Sequence, residues 1–401
     1  MVPNKPTSEN SGAYIVVLAG VAAALHVGKL PPAVPLLRDA LGLSLLEAGF
    51  LLSLVQLAGM FFGLAVGLLA DGFGLRRSML TGLLVLASAS TVGGFATTGA
   101  QMLVFRALEG CGLLLAVLPG PALIRSLVNA KSASRMLGFW GAYMPFGFAS
   151  ALLVGPWVME LADWRVWWWV LAAVTVGAAY ALWRNVPADR PMTNGALNGG
   201  AELRERLSAT LRAPGPWLMA GCFALYSSQW MAVVGFLPTV YHDAGIGART
   251  AGLLTALVAA VNMIGNIASG LLLQRGVAPQ RLLYAGYLTM GLSTVIAYAQ
   301  LRGVSASPVV QVLCVLAFSA VGGLIPGTLF ALAVRVAPKP DAVSTTVGWM
   351  HQLSSVGQVC GPPLVAWVAT RVGDWHGTWW VTLACSTLGA GLAMRLASSL
   401  R

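Results

Sequence analysis

The stretch YIVVLAGVAAALHVGKLPPAVPLL, residues 14–37, decides the fold. It exceeds the roughly 20 apolar residues that cross a bilayer as a helix. Its only basic or acidic side chains are His26 and Lys29. Its glycines and prolines are residues that membrane helices tolerate better than soluble ones. Eleven comparable runs follow, at 47–70, 78–96, 102–124, 136–161, 164–183, 216–241, 250–273, 282–301, 308–334, 343–368 and 378–395. The whole chain of 401 residues is 57% hydrophobic and 9% charged. A soluble protein carries about 25% charge, and so few charges cannot cover a water-facing surface of this size. The expectation is an all-α membrane protein with twelve transmembrane helices and the lipid bilayer as its solvent.

The connections carry the basic residues unevenly. Arg38, Arg165, Arg249, Arg302 and Arg371 fall on one side, and most other Lys and Arg, including Arg76, Arg77, Arg125, Arg184, Arg281 and Arg335, on the other. The positive-inside rule then puts both termini in the cytoplasm, and the compact loops suit a bacterial inner membrane. The net charge of +11 comes from scattered residues rather than a basic stripe, which argues against a nucleic-acid partner. Cys111, Cys222, Cys314, Cys360 and Cys385 lie singly in apolar runs and read as small core hydrophobes.

The chain repeats itself. Pro35, Gly42, Gly49 and Gly67 correspond to Pro238, Gly245, Gly252 and Gly270, each pair 203 positions apart (238 − 35). Farther on, Pro119-Gly120 matches Pro326-Gly327, Gly155-Pro156 matches Gly361-Pro362, and Asp163-Trp164 matches Asp374-Trp375. This predicts two six-helix halves, 1–183 and 216–401. They are joined by a polar linker, 184–215, whose Leu203, Leu207 and Leu211 predict a short surface helix. Repeated halves are a transporter architecture, with the site between them near the bilayer midplane.

The run Gly67-Leu-Leu-Ala-Asp71-Gly-Phe-Gly74-Leu-Arg76-Arg77 closes the connection between the second and third helices. It resembles the loop signature of the major facilitator superfamily. Gly72 and Leu75 stand where the family pattern has basic residues, and Gln274 replaces the acid in the second copy. Arg106-Ala-Leu-Glu109-Gly110-Cys-Gly112 resembles a second family signature, and Gly147, Gly155 and Pro156 partly resemble that of proton antiporters. The resemblance covers the whole chain and is nearest to the cyanate and nitroimidazole porter branch. It implies a gating loop at Gly67, Asp71, Gly74, Arg76 and Arg77, and a cavity lined by helices one and four.

Ionisable groups inside a membrane span cost roughly 2.5–3.5 kcal/mol each and are functional candidates by default. They gather on helix one, as His26 and Lys29, and on helix four, as Arg106 and Glu109. Each pair is three apart and so shares a helix face. Lys29 and Arg106 suit an anionic solute, with Glu109 or His26 as proton carrier; a structural ion pair is the rival reading. In the second half Tyr226, Gln229, Asn262, Asn266 and His351 are candidate solute contacts, with Gln56, Trp140, Tyr143 and Trp349 behind them. Trp167, Trp168, Trp169, Trp379 and Trp380 read as an interfacial aromatic belt.

No glycine-rich phosphate loop, metal-ligand spacing or nucleophile–base pair occurs, so the expectation is no enzyme, no cofactor and no metal. The function expected is a monomeric, proton-coupled secondary transporter of a small anionic or polar organic solute, by alternating access. The alternative is a multidrug-type proton antiporter.

Overall fold

The computed structural model describes residues 11–64, 74–189, 200–300, 306–339 and 342–399, and every regular element among them is helical. Twelve long segments stand where the apolar runs place them. In the first half they are α1 (Ser11–Leu41), α2 (Leu45–Leu64), α3 (Leu75–Gly93), α4 (Gly99–Leu127), α5 (Ala130–Leu161) and α6 (Trp164–Asn185). In the second they are α7 (Pro214–Asp243), α8 (Ala248–Gln274), α9 (Pro279–Tyr298), α10 (Pro308–Val336), α11 (Val343–Val372) and α12 (Trp379–Ser399). All but α3, α9 and α11 are both long and apolar enough to cross a membrane. The predicted linker helix spans Gly200–Arg212. We refer to the face where α1 begins and α12 ends as the terminal face, and to the opposite one as the far face.

Local chemistry sets the helix ends. Ser44 and Glu47 form a reciprocal capping box that opens α2, and the side chains of Thr98, Asn129 and Ser307 cap α4, α5 and α10. α1 is interrupted. Pro31 and Pro32 have no N–H to donate, and the helix passes through a tight turn at Pro31–Ala33 before resuming at Val34. Carbonyls around this break are taken up by side chains. Arg106 Nη1 donates to the His26 carbonyl at 2.6 Å, and Trp167 Nε1 to the Lys29 carbonyl at 3.3 Å. The break thus fixes the level at which the charges assemble.

The two halves meet crosswise near the far face. A Cβ on Gly49 of α2 would lie 2.9 Å from Pro363 Cα and 3.0 Å from the Pro362 carbonyl of α11. A Cβ on Gly252 of α8 would lie 2.6 Å from Pro156 Cγ and 2.8 Å from the Leu152 carbonyl of α5. Gly49 and Gly252 are repeat partners, as are Pro156 and Pro362, so one glycine–proline contact is used twice about the pseudo-twofold axis. Nearer the middle, Phe148 of α5 meets Trp230 of α7 with ring centroids 5.5 Å apart. Toward the terminal face the Gln352 carboxamide of α11 accepts from the Leu64 N–H and donates to the Met60 carbonyl of α2, both at 3.0 Å.

Candidate functional site

The four expected charges come together. Lys29 lies roughly 27 Å along α1, and Arg106 and Glu109 lie roughly 10 and 15 Å from the far-face end of α4, at 1.5 Å per residue. All four side chains are buried. Glu109 is paired on both oxygens, Oε1 with Lys29 Nζ and Oε2 with Arg106 Nη1 at 2.7 Å. Lys29 Nζ also donates to Ser90 Oγ at 2.9 Å and sits 4.5 Å above the Trp168 ring. Arg106 Nε donates to the Leu51 carbonyl at 3.2 Å.

The neighbouring hydrogen bonds are satisfied by one His26 tautomer. The Thr175 hydroxyl donates to the Leu171 carbonyl at 2.8 Å, so its oxygen accepts from His26 Nε2–H at 2.8 Å. Nδ1 is then the bare nitrogen and accepts from Lys29 Nζ at 3.3 Å. Lys29 and Arg106 thus share the one carboxylate of Glu109, with His26 Nδ1 3.8 Å from its Oε1. A single polar atom, Arg106 Nη2, is buried without a hydrogen-bond partner.

Every hydrogen-bond partner described for these four side chains belongs to the first six spans: α1, α2, α3, α4 and α6 enclose them. The cluster therefore faces the interior of its own half. This corrects the reading of two tryptophans. Trp167 and Trp168 are not part of an interfacial belt but are 2% and 1% exposed, one bonded to the Lys29 carbonyl and the other beneath its ammonium. The tight turn after the double proline sends the Ala33 N–H to the Leu30 carbonyl and so leaves the Lys29 carbonyl to Trp167. Cys111 and Cys360 are likewise exposed rather than packed in the core.

In the second half the predicted residues separate into three settings. Tyr226, Asn262 and Asn266 form an internal network. Asn262 Nδ2 donates to Tyr226 Oη at 3.0 Å and to the Ser319 carbonyl at 2.8 Å, and Asn266 Nδ2 donates to Asn262 Oδ1 at 3.1 Å. Gln229 is buried against α12, where its Oε1 accepts from Ser386 Oγ at 3.0 Å. His351 is different. It is exposed, its ring 5.4 Å from Phe330 of α10 and 5.9 Å from Phe223 of α7, and Tyr226 stacks on Phe223 at 6.0 Å. Phe330, His351 and Phe223 lie roughly 9–14 Å from the terminal-face ends of their helices, and Tyr226 roughly 18 Å. Trp349 pairs with Trp217 at 4.6 Å and Trp140 with Tyr143 at 4.4 Å, and Gln56 is half-buried. The charged residues described on α7 to α12, such as Asp243, Arg249, Arg335 and Arg371, sit within about a turn of a helix end.

Gly67 and Asp71 of the loop signature lie outside the described residues. Gly74, Arg76 and Arg77 are described and gather around an acid that sequence reading missed. Asp189, which follows α6, accepts from the backbone N–H groups of Arg76 at 3.0 Å and Arg77 at 2.9 Å, in the first turn of α3. Gly74 has φ +99°, and a Cβ there would lie 2.5 Å from Asp189 Oδ2, so glycine is required twice over. Asp189 is the lone acid between Arg184 and Ala201, and that isolation was the available signal.

The sequence profile of the Major Facilitator Superfamily matches residues 16–351 and, in a second match, 219–399. The chain belongs to that superfamily. As a superfamily member it is an integral membrane transporter of small molecules. It is 28% identical over 380 residues to a chloramphenicol resistance protein of Streptomyces lividans, covering 90% of this chain and 94% of that one. It is 24% identical over 266 residues to a cyanate transport protein of Escherichia coli (strain K12), covering 65% of each. Among solved superfamily-like structures, a bacterial homolog of the human lysosomal transporter Spinster, inward-facing and occupied, superposes with a TM-score of 0.80 at 13% identity, over 99% of this chain and 98% of that one. A D-xylose–proton symporter superposes with a TM-score of 0.73 at 19% identity, over 96% and 97%. At these identities the likeness establishes the fold.

Proposed function

We propose that this superfamily member moves a small, uncharged polar solute with a planar or aromatic part, by alternating access between halves 1–183 and 216–401, with 184–215 as linker. The reading takes the terminal face as cytoplasmic, the membrane as a bacterial inner membrane, the working unit as a monomer and a proton as the coupling ion. The observation that carries the solute class is the disposition of charge. Lys29 and Arg106 are committed to Glu109 and enclosed among α1, α2, α3, α4 and α6. His351 is exposed and forms a three-ring cluster with Phe223 and Phe330, each pair of rings 5.4–5.9 Å apart. A solute between the halves then meets rings and hydrogen-bonding groups, and flat apolar walls with few polar points select planar organic molecules. An anionic solute would need Lys29 and Arg106 to keep positive potential beyond their pairing with Glu109. One relative that matches almost end to end is a chloramphenicol resistance protein, and chloramphenicol is an uncharged solute of this class.

His26, Lys29 and Glu109 form a contiguous hydrogen-bonded set of titratable groups inside the membrane, and that supports proton coupling through Glu109 or His26. A second reading, an anion bound at Arg106, is favoured by the unpartnered Nη2.

The test is thermal stability of the purified protein with chloramphenicol, benzoate and tetraphenylphosphonium as neutral, anionic and cationic probes, since a ligand of the folded state raises the melting temperature. The neutral probe should stabilise the wild type, and His351→Ala and Phe330→Ala should lose the effect. Uptake into proteoliposomes should follow an imposed proton gradient and fail to do so in Glu109→Gln. Stabilisation by benzoate alone, lost in Arg106→Ala, would replace this proposal with the anion reading.

A further inference from the structure

One contact between the halves is of a different kind from the rest. Glu160 lies at the far-face end of α5, and Arg249 at the start of α8. Arg249 Nε pairs with Glu160 Oε2, and the same guanidinium lies 4.0 Å above the ring of Trp157. Trp157 and Glu160 are three apart on α5 and so present ring and carboxylate side by side. The planar guanidinium can meet both at once, its edge on the carboxylate and its face on the ring, which the compact ammonium of lysine cannot do. One turn deeper, Gly252 brings the α8 backbone against Pro156.

The pseudo-symmetric contact between α2 and α11 has the glycine–proline approach without these side chains. The repeat positions of Arg249, Trp157 and Glu160 are Leu46 (249 − 203), Pro363 (157 + 206) and Ala366 (160 + 206). The ion pair and ring are thus an addition to one side of an interface otherwise built twice.

We propose that Arg249, Trp157 and Glu160 form a clamp that holds the far face closed and so sets the balance between the two access states of the transport cycle. They are positioning residues, remote from the solute. Arg249 and Glu160 are 47% and 37% exposed, so water competes for the pair and each interaction is weak. Weakness suits a contact that must open in every cycle. An exposed ion pair and an exposed cation–ring contact together bias a two-state equilibrium on the order of threefold to tenfold. The proposal is independent of which solute is carried.

Hydrogen–deuterium exchange of the full-length protein in lipid nanodiscs reads both faces together. In Arg249→Ala and Glu160→Gln, segments 154–161 and 248–255 should exchange on the order of threefold to tenfold faster. Terminal-face segments such as 120–127 and 330–336 should slow in the same samples, because opening one face closes the other. Arg249→Lys should fall between wild type and Arg249→Ala, keeping the charge and losing the flat stack. The charge-swapped Glu160→Arg/Arg249→Glu chain should recover protection relative to Arg249→Ala. Unchanged far-face exchange in Arg249→Ala, faster exchange at both faces together, or a swapped chain no better protected than Arg249→Ala would each overturn the clamp.

Discussion

Replacing Glu109 with glutamine tests the central feature of the first half. Glutamine keeps the volume, removes the charge, and leaves Lys29 and Arg106 close together inside the membrane span with no counter-ion. Removing one partner of a buried pair costs on the order of 3–5 kcal/mol, much of it the penalty of the stranded charge. The structure argues for the lower end of that range. Lys29 Nζ keeps Ser90 Oγ at 2.9 Å and His26 Nδ1 at 3.3 Å, and Arg106 keeps the His26 and Leu51 carbonyls at 2.6 and 3.2 Å. A loss of about 3 kcal/mol is expected. It should appear as a melting temperature lower by several degrees, followed by tryptophan fluorescence at one fixed scan rate, because membrane proteins of this size unfold irreversibly. The double variant Lys29→Met/Glu109→Gln removes one stranded cation and should recover a substantial part of the loss, since the two sites are coupled. A Glu109→Gln protein melting within about 1 °C of wild type, or a double variant less stable than both singles, would refute the view that this pairing binds α1 to α4.

Two smaller perturbations bear on the surroundings of the cluster and on the loop. Trp167→Phe deletes the indole donor to the Lys29 carbonyl and leaves a cavity at a buried site, and should cost about 2–3 kcal/mol in the same melting assay, whereas Trp168→Phe leaves a similar cavity but keeps a ring face beneath the ammonium and should cost less. Asp189→Ala frees the N–H groups of Arg76 and Arg77 in the first turn of α3 and should cost about 1 kcal/mol, seen as faster amide exchange over 75–80 with exchange elsewhere unchanged.

The spans were legible because a membrane leaves the backbone no choice. Without water, every N–H and C=O must be satisfied within the segment, so an apolar run of sufficient length is a helix whatever its neighbours do. The run at 378–395 accordingly becomes Trp379–Ser399, and that at 164–183 becomes Trp164–Asn185. Helical spacing put His26 with Lys29 and Arg106 with Glu109 on shared faces, and the family resemblance put helices one and four together. What spacing could not give was the direction in which the cluster faces. That is decided by Thr175 and Trp168 on α6 and Ser90 on α3, residues ordinary enough in type to pass as packing or belt. Asp189 escaped notice for a related reason: its role depends on a chain reversal that returns the connection after α6 to the start of α3, more than a hundred positions earlier.

The internal repeat explains which features were free to differ between the halves. Gly49 and Gly252 serve equivalent backbone approaches, with Pro362 and Pro156 opposite them, and any side chain there would force the halves apart. That geometry has to be matched on both sides of the pseudo-twofold axis. Charge does not. The repeat positions of Lys29, Arg106 and Glu109 are Ala232, Leu313 and Leu316, and where His26 bonds Thr175 the second half has Gln229 bonded to Ser386. Titratable groups are thus concentrated deep in the first half, while the second presents His351 among rings. On the proposed reading the two halves divide the work, one answering the proton and the other the solute. Besides the linker, the halves then communicate across their interface, where α5 meets α7 and α8 and α2 meets α11. Coupling in such an arrangement has to act through which face is open rather than through direct contact between proton and solute, so a variant at the interface should alter the response to both.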